Sequence, residues 1–245
     1  MEKKYLIIGN WKMYKTPSQS TDLVNEIAQF KCPDKVKLGI SPPFTNLCPI
    51  SKALKNSSIV LGAQNMYCAK EGAFTGEISP QMLQDLNVHY VIIGHSERRS
   101  IFKESNALIH QKVKVAQDFQ LIPILCVGET LEERQAGQEK AIVEEQISSA
   151  LEGISSALVI AYEPVWAIGT GQTATPEIAQ EMHGFIRNLL KEQFPKDGES
   201  IHILYGGSMK PNNAAELLRQ ADISGGLIGS ASLVPKDFMA IAQSV

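Results

Sequence analysis

LVIAYEPVWAIGTGQTATPEIAQEMHGFIRNLL, residues 158–190, reads as one strand, one loop and one helix. Residues 158–162 are apolar at consecutive positions, as a strand buried on both faces must be, and such strands belong to parallel sheets. Farther on, Thr175 is placed to cap a helix and Pro176 fits the first helical position. Ile178, Met182, Phe185, Ile186 and Leu189 then fall on one helical face. Between the two elements the strand ends on a carboxylate, Glu163, followed by the stiff Pro164 and by an indole threaded into small residues. A glutamate there either faces water or does chemistry. The rest of the chain decides which.

The same unit recurs along the sequence. Short apolar runs begin as YLIIGN at 5, VKLGIS at 36, IVLGA at 59, HYVIIG at 89, LIPILCV at 121, LVIAYE at 158, IHILYGG at 201 and GGLIGSA at 225. Helix-like stretches separate them; after Ser18, for example, Leu23, Ile27 and Phe30 share a face. Eight alternations in 245 residues, with no Pro/Gly/Ser linker and no break in composition, predict a single α/β domain over 1–245. Its architecture is a closed (β/α)8 barrel with eight parallel strands. An open doubly wound sheet would carry G-x-G-x-x-G after its first strand. Here that strand runs into Gly9-Asn10-Trp11-Lys12 instead.

With 44% hydrophobic and 20% charged residues the chain has material for a core and is not of disordered composition. A net charge of -3 without any Lys/Arg block argues against a nucleic-acid face. An anionic small ligand would have to be held by local dipoles. The first apolar run ends after about four residues, shorter than the roughly 7 to 15 of a signal peptide, and no segment approaches the roughly 20 of a membrane span. These features predict a cytoplasmic protein with no membrane or nucleic-acid partner. Cys32, Cys48, Cys68 and Cys126 form no C-x-x-C pair and read as small hydrophobes. The histidines at 89, 95, 110, 183 and 202 show no metal-ligand spacing, and no cofactor signature is present, so neither metal nor organic cofactor is expected.

In a barrel of this kind the carboxyl ends of the strands form one mouth, where side chains distant in sequence converge. Strand one ends in Asn10 and Lys12, strand four in His95 and Ser96, strand six in Glu163, strand seven in Gly206-Gly207-Ser208, and strand eight in Gly229-Ser230. After Glu163, Pro164-Val165-Trp166 forms a hinge and Ala167 to Gly171 a small-residue tip able to move as a lid. A lid that removes water from Glu163 raises its basicity and makes it a general base. His95 is either a structural histidine or, at a helix start whose dipole disfavours imidazolium, a neutral ring that donates to a carbonyl oxygen. Ser96 points away from its neighbour, so a Ser-His nucleophile pair is not supported. Lys12 is either a surface lysine or a fixed charge for an anionic substrate, and Asn10 poses the same choice more weakly.

Glycines at 206, 207 and 229 let backbone N–H groups approach a ligand, and the loops after the last two strands of a barrel often hold phosphate. The long connection QNMYCAKEGAFTGEIS, residues 64–79, lacks helical periodicity. Its Met66, Tyr67 and Phe74 either fold over the chain's own barrel or present a partner surface.

Taken together these residues resemble the triosephosphate isomerase family over essentially the whole chain. The resemblance is carried by GNWKMYKT near the start, QN and GAFTGE in the long loop, IIGHSERR after strand four and LCVGET after strand five. AYEPVWAIGTG, YGGS and IGSASL complete it. It implies a TIM-barrel isomerase of glycolysis and gluconeogenesis. Such an enzyme interconverts dihydroxyacetone phosphate and D-glyceraldehyde 3-phosphate through an enediol(ate), without a cofactor. Glu163 would take the proton, His95 would move protons between substrate oxygens, and Lys12 and Asn10 would stabilise negative charge on oxygen. Glu97 would support Lys12, with Ser96 also in a supporting position. Gly171, Ser208, Gly229 and Ser230 would give N–H groups to the phosphate. The resemblance also implies opposed pKa tuning of Glu163 and His95.

The resemblance further implies a homodimer formed through loop 64–79, with Thr75 reaching the neighbour's site. Two positions depart from the family pattern. Ser230 stands where a second glycine is common, a cost of about 1 kcal/mol if its φ has to be positive, and Gln172 stands where lysine is frequent. Because a fold does not fix a function, the competing readings are another sugar-phosphate enzyme on the same scaffold, such as a metal-dependent epimerase or a Schiff-base aldolase, and a non-catalytic phosphate-ligand-binding barrel.

Overall fold

In a computed structural model describing residues 3–168 and 174–245, all eight apolar runs are strands of one closed parallel barrel. They are β1 (Tyr5–Asn10), β2 (Val36–Ser41), β3 (Val60–Ala63), β4 (Val88–Ile93), β5 (Ile122–Val127), β6 (Val159–Tyr162), β7 (Ile203–Tyr205) and β8 (Gly225–Ile228). Neighbours in sequence are neighbours in space, and β1 pairs with both β2 and β8 to close the ring.

Two layers of packing explain the unbroken apolar runs. Leu6, Ile8, Tyr90, Ile92, Ile124, Cys126, Val159, Ala161, Leu204 and Leu227 fill the barrel interior as one cluster. The residues between them, among them Ile7, Val91, Leu125, Ile160 and Ile203, belong to the larger cluster that packs strands against helices. Side chains alternate along a strand, so both sets must be apolar. Fully burying one such side chain is worth about 1.5–3 kcal/mol.

The helix predicted from the opening stretch spans Pro176–Gln193, with the Thr175 hydroxyl accepting the Ile178 N–H at 3.3 Å. Its buried face is turned from the predicted one. Ala179, Met182, His183, Ile186 and Leu190 are buried, whereas Ile178, Phe185 and Leu189 are only partly covered. The helix predicted after Ser18 begins earlier, at Pro17, because the Gln19 side chain accepts the Thr16 N–H at 3.0 Å. Phe30 lies beyond its end.

The turned face puts His183 wholly inside, its ring edge-on to Tyr162 at 5.7 Å and its Nδ1 3.3 Å from the Asp222 carbonyl. Burial pushes its pKa down to about 3. An unfolded imidazole protonates near 6.5, so between those values the unfolded chain binds the extra proton. The contribution is therefore complete above pH 6.5 and is lost as pH falls, at about 1.4 kcal/mol per pH unit. Urea unfolding between pH 6.5 and 4.5 is expected to show a shallower pH dependence in His183→Gln than in the wild type. Equal slopes would contradict this assignment.

Loop 64–79 is closed on itself by the Tyr67 N–H donating to the Ile78 carbonyl at 2.8 Å. Met66 does not contribute to an exposed surface: it is 1% exposed and sits in the core, while Phe74 is 43% exposed and stacks on Tyr67. Among the described residues no helix is long and apolar enough to cross a membrane.

Candidate active site

Strand alternation aims the side chains. Val159 and Ala161 face the barrel axis, and Glu163, two residues on, continues in the same direction into the mouth, where it is 2% exposed. Leu6 and Ile8 place Asn10 in the same way. In β4 the alternation fails: Tyr90 and Ile92 point inward, which would send His95 out toward the helices. Gly94 has φ +71, a left-handed conformation that glycine alone adopts freely, and this turn brings His95 into the mouth. Lys12 is also left-handed, at φ +49, a strain of about 1 kcal/mol for a residue with a side chain. The Lys12 N–H donates to Asn10 Oδ1 at 3.1 Å, and Gln64 Nε2 donates to the carbonyls of Lys12 and Ser41 at 2.8 Å each.

These residues line one cavity of about 240 Å³ that includes Asn10, Lys12, His95, Glu163, Ser208 and Ser230. Glu163 Oε1 lies 3.0 Å from His95 Nε2, and Glu163 Oε2 accepts the Ser96 N–H at 2.8 Å. On the far side of the ring, His95 Nδ1 accepts the Glu97 N–H at 3.2 Å. A neutral ring therefore carries its hydrogen on Nε2, aimed into the cavity. Lys12 Nζ donates to Glu97 Oε1 at 2.6 Å, joining base, imidazole and ammonium in one chain of contacts. Ser96 takes part through its backbone, not its hydroxyl.

Electrostatics of the free site differ from the sequence-based expectation. Burial lowers the His95 pKa, but the Glu163 carboxylate on Nε2, aided by Glu97, more than offsets it and leaves it raised. Burial likewise raises Glu163, yet His95, the Ser96 N–H and Lys12 hold it below its ordinary value. The expected neutralising dipole is weak because the helix at Ser96–Ser100 has only five residues. Glu163 rests here as a stabilised carboxylate.

Gly206 permits the close approach of β7 to the base. A β carbon there would stand 2.8 Å from Glu163 Cγ. Ser208 follows, its hydroxyl donating to the Ala167 carbonyl at 3.1 Å and so linking this loop to the turn after Glu163. Gly229 and Ser230 open a 3-10 turn, Ser230–Leu233, whose first N–H groups have no acceptor within the turn. The turn is held by the Ser232 hydroxyl donating to the Gly229 carbonyl at 2.7 Å. Ser230 is not left-handed, so serine carries no backbone strain there. Gly171 and Gln172 lie outside the described residues. Thr75 is on the exposed part of loop 64–79 and does not line this cavity.

Sequence reasoning assigned no role to Gln64 or Glu129, although both stand in the QN and LCVGET stretches. Glu129 is fully buried and accepts from Tyr162 Oη at 3.0 Å, Trp166 Nε1 at 2.8 Å and Arg134 at 3.0 Å, anchoring the turn after Glu163. Reading the end of β5 as the other strand ends were read would have found it. Beside Glu163, burial and that carboxylate's charge raise the Cys126 pKa well above its ordinary value, which keeps it a thiol. Among the described residues no group of three or more His, Cys, Asp or Glu side chains is arranged to hold a metal ion.

The sequence pattern of the family described as triosephosphate isomerase matches residues 5–245. A triosephosphate isomerase of Carboxydothermus hydrogenoformans is 53% identical over 247 residues, covering 98% of each chain. Those of Finegoldia magna and Aquifex aeolicus are each 49% identical, covering 96% and 98% of both chains respectively.

Proposed function

The chain belongs to the triosephosphate isomerase family and interconverts dihydroxyacetone phosphate and D-glyceraldehyde 3-phosphate, and we propose that Glu163, His95, Lys12 and Asn10 carry out that reaction. Support comes foremost from the 3.0 Å contact between His95 Nε2 and Glu163 Oε1 in a cavity that Lys12 also lines. The substrate carbonyl oxygen takes the place of Glu163 as acceptor of the His95 Nε2–H. Lys12 and Asn10 face the same oxygen and stabilise the charge that develops on it. Glu163, released from Ser96 and His95, removes a proton from the carbon beside the carbonyl, giving the enediolate. His95 moves a proton between the two oxygens, and Glu163 returns its proton to the other carbon. The product is the isomer, with no change in overall composition.

The phosphate dianion is bound by the N–H groups of Ser208, Gly229 and Ser230, and Gly171, outside the described residues, is assigned a further N–H to it. The whole chain acts as one catalytic domain in the cytoplasm. A coupled assay of the purified protein with glyceraldehyde 3-phosphate and EDTA, and no nucleotide beyond the reporter's need, is expected to show full turnover. Loss of turnover on chelation would favour a metal-dependent epimerase, and borohydride trapping on a lysine would favour an aldolase.

The protein works as a homodimer. Met13 is 92% exposed, Ile101 66%, Phe102 62% and Tyr14 58%, an apolar exposure on loops near the mouth that joins Phe74 in offering a partner surface. Thr75 then reaches the neighbour's site. Thr75→Arg is expected to shift sedimentation from dimer to monomer; an unaltered profile would exclude loop 64–79 as the main contact.

A further inference from the structure

The cavity has a second cation that the chemistry above does not use. Lys210 lines it together with Lys12, Ser208 and Ser230. Lys12 is paired with Glu97 at 2.6 Å, whereas Lys210 makes no ion pair among the described residues. Its backbone is fixed. The Lys210 N–H donates to Asn213 Oδ1 at 2.8 Å, Asn213 Nδ2 donates to the Ser208 carbonyl at 3.0 Å, and Pro211 restricts Lys210 to extended conformations. One asparagine thus ties the lysine to the loop that carries the Ser208 N–H.

A dianionic substrate approaching a protein of net charge -3 meets overall repulsion, so attraction to the cavity has to be local. Within the cavity Glu163 adds a further negative charge, and Glu97 offsets Lys12. We infer that Lys210 is a charge-steering residue, drawing the phosphate end of the triose phosphate into the cavity and toward the backbone N–H groups at Ser208 and Ser230. The inference rests on the isomerase reading for its substrate. Its physics requires only a phosphate dianion. Lys210 is exposed, so its charge acts through water on the approaching ligand and is sensitive to salt.

The experiment compares wild type, Lys210→Gln and Lys210→Glu over a range of ionic strength. At about 10 mM salt, where screening acts over roughly 30 Å, kcat/KM is expected to fall about three- to tenfold in Lys210→Gln and further in Lys210→Glu. kcat should stay within about twofold of wild type, and near 0.5 M salt the difference in kcat/KM should shrink to less than about twofold. Equal kcat/KM at low salt overturns the inference, as does a deficit equally large at high salt, which would mark a structural effect; the isomerase reading survives both outcomes. Calorimetric titration with inorganic phosphate separates the two claims. If the wild type fails to turn over triose phosphate, the isomerase reading falls and phosphate affinity at low salt decides Lys210 alone. Weaker binding in Lys210→Gln supports it, and equal binding overturns it.

Discussion

Glu163→Gln is expected to lower kcat by about 10²- to 10⁴-fold while phosphate-ligand binding stays close to wild type, because the change removes the base and leaves the phosphate groups untouched. The side chain keeps its size. Its amide oxygen can still accept the Ser96 N–H that Glu163 accepts at 2.8 Å, so the site keeps its shape. What disappears is the proton acceptor, together with the negative charge that raises the His95 pKa in the free protein. The variant should therefore show the loss mainly in kcat, as expected for a group needed in the transition state. Unchanged turnover would remove Glu163 from the mechanism.

Lys12→Met has the second large expected effect, on both binding and rate. Removing one group that stabilises developing charge on oxygen typically costs about 10²- to 10³-fold in kcat. Here the loss also strands Glu97, whose Oε2 lies 3.6 Å from His95 Nδ1, next to a ring that has to handle a proton. A weaker affinity for phosphorylated ligands should accompany the fall, since one of the cavity's cations is gone. Measured affinity equal to wild type would contradict the binding part of the role. Unlike the Lys210 variants, Lys12→Met should remain slow at high salt, because its ammonium acts at short range inside the site.

The barrel was legible because burial on both faces leaves a trace: apart from Lys37 and His89 near their strand starts, the runs do not alternate with exposed polar residues, and each stops where the mouth begins. Glu163 and Asn10 stood out in the sequence as strand ends, and in the structure each continues an inward register set by Ala161 and Ile8. His95 is different. Its direction depends on the left-handed Gly94, and periodicity alone would have turned it outward. For Met66 the sequence left barrel cover and partner surface both open, and it is core, because composition cannot tell which side of a loop faces the barrel.

Other features left no local pattern at all. Gln64 supports Lys12 from 52 residues away, and Glu129 holds Trp166 from 37. Such side-chain bonds between distant segments exist only after the strands have closed. The directions of the Glu163 and His95 shifts belong to the same class. They follow from a pairing between residues just beyond β6 and β4 that the sequence brings to one mouth but does not bring into contact.

The most direct test of convergence on one substrate is a crystal structure with 2-phosphoglycolate, whose carboxylate mimics the enediolate. Glu163 is predicted to have left the Ser96 N–H for the ligand, with His95 Nε2 and Lys12 Nζ on its oxygens and its phosphate at the N–H groups of Ser208 and Ser230. A ligand bound elsewhere, or one whose carboxylate lies out of reach of Glu163, His95 and Lys12, would contradict it.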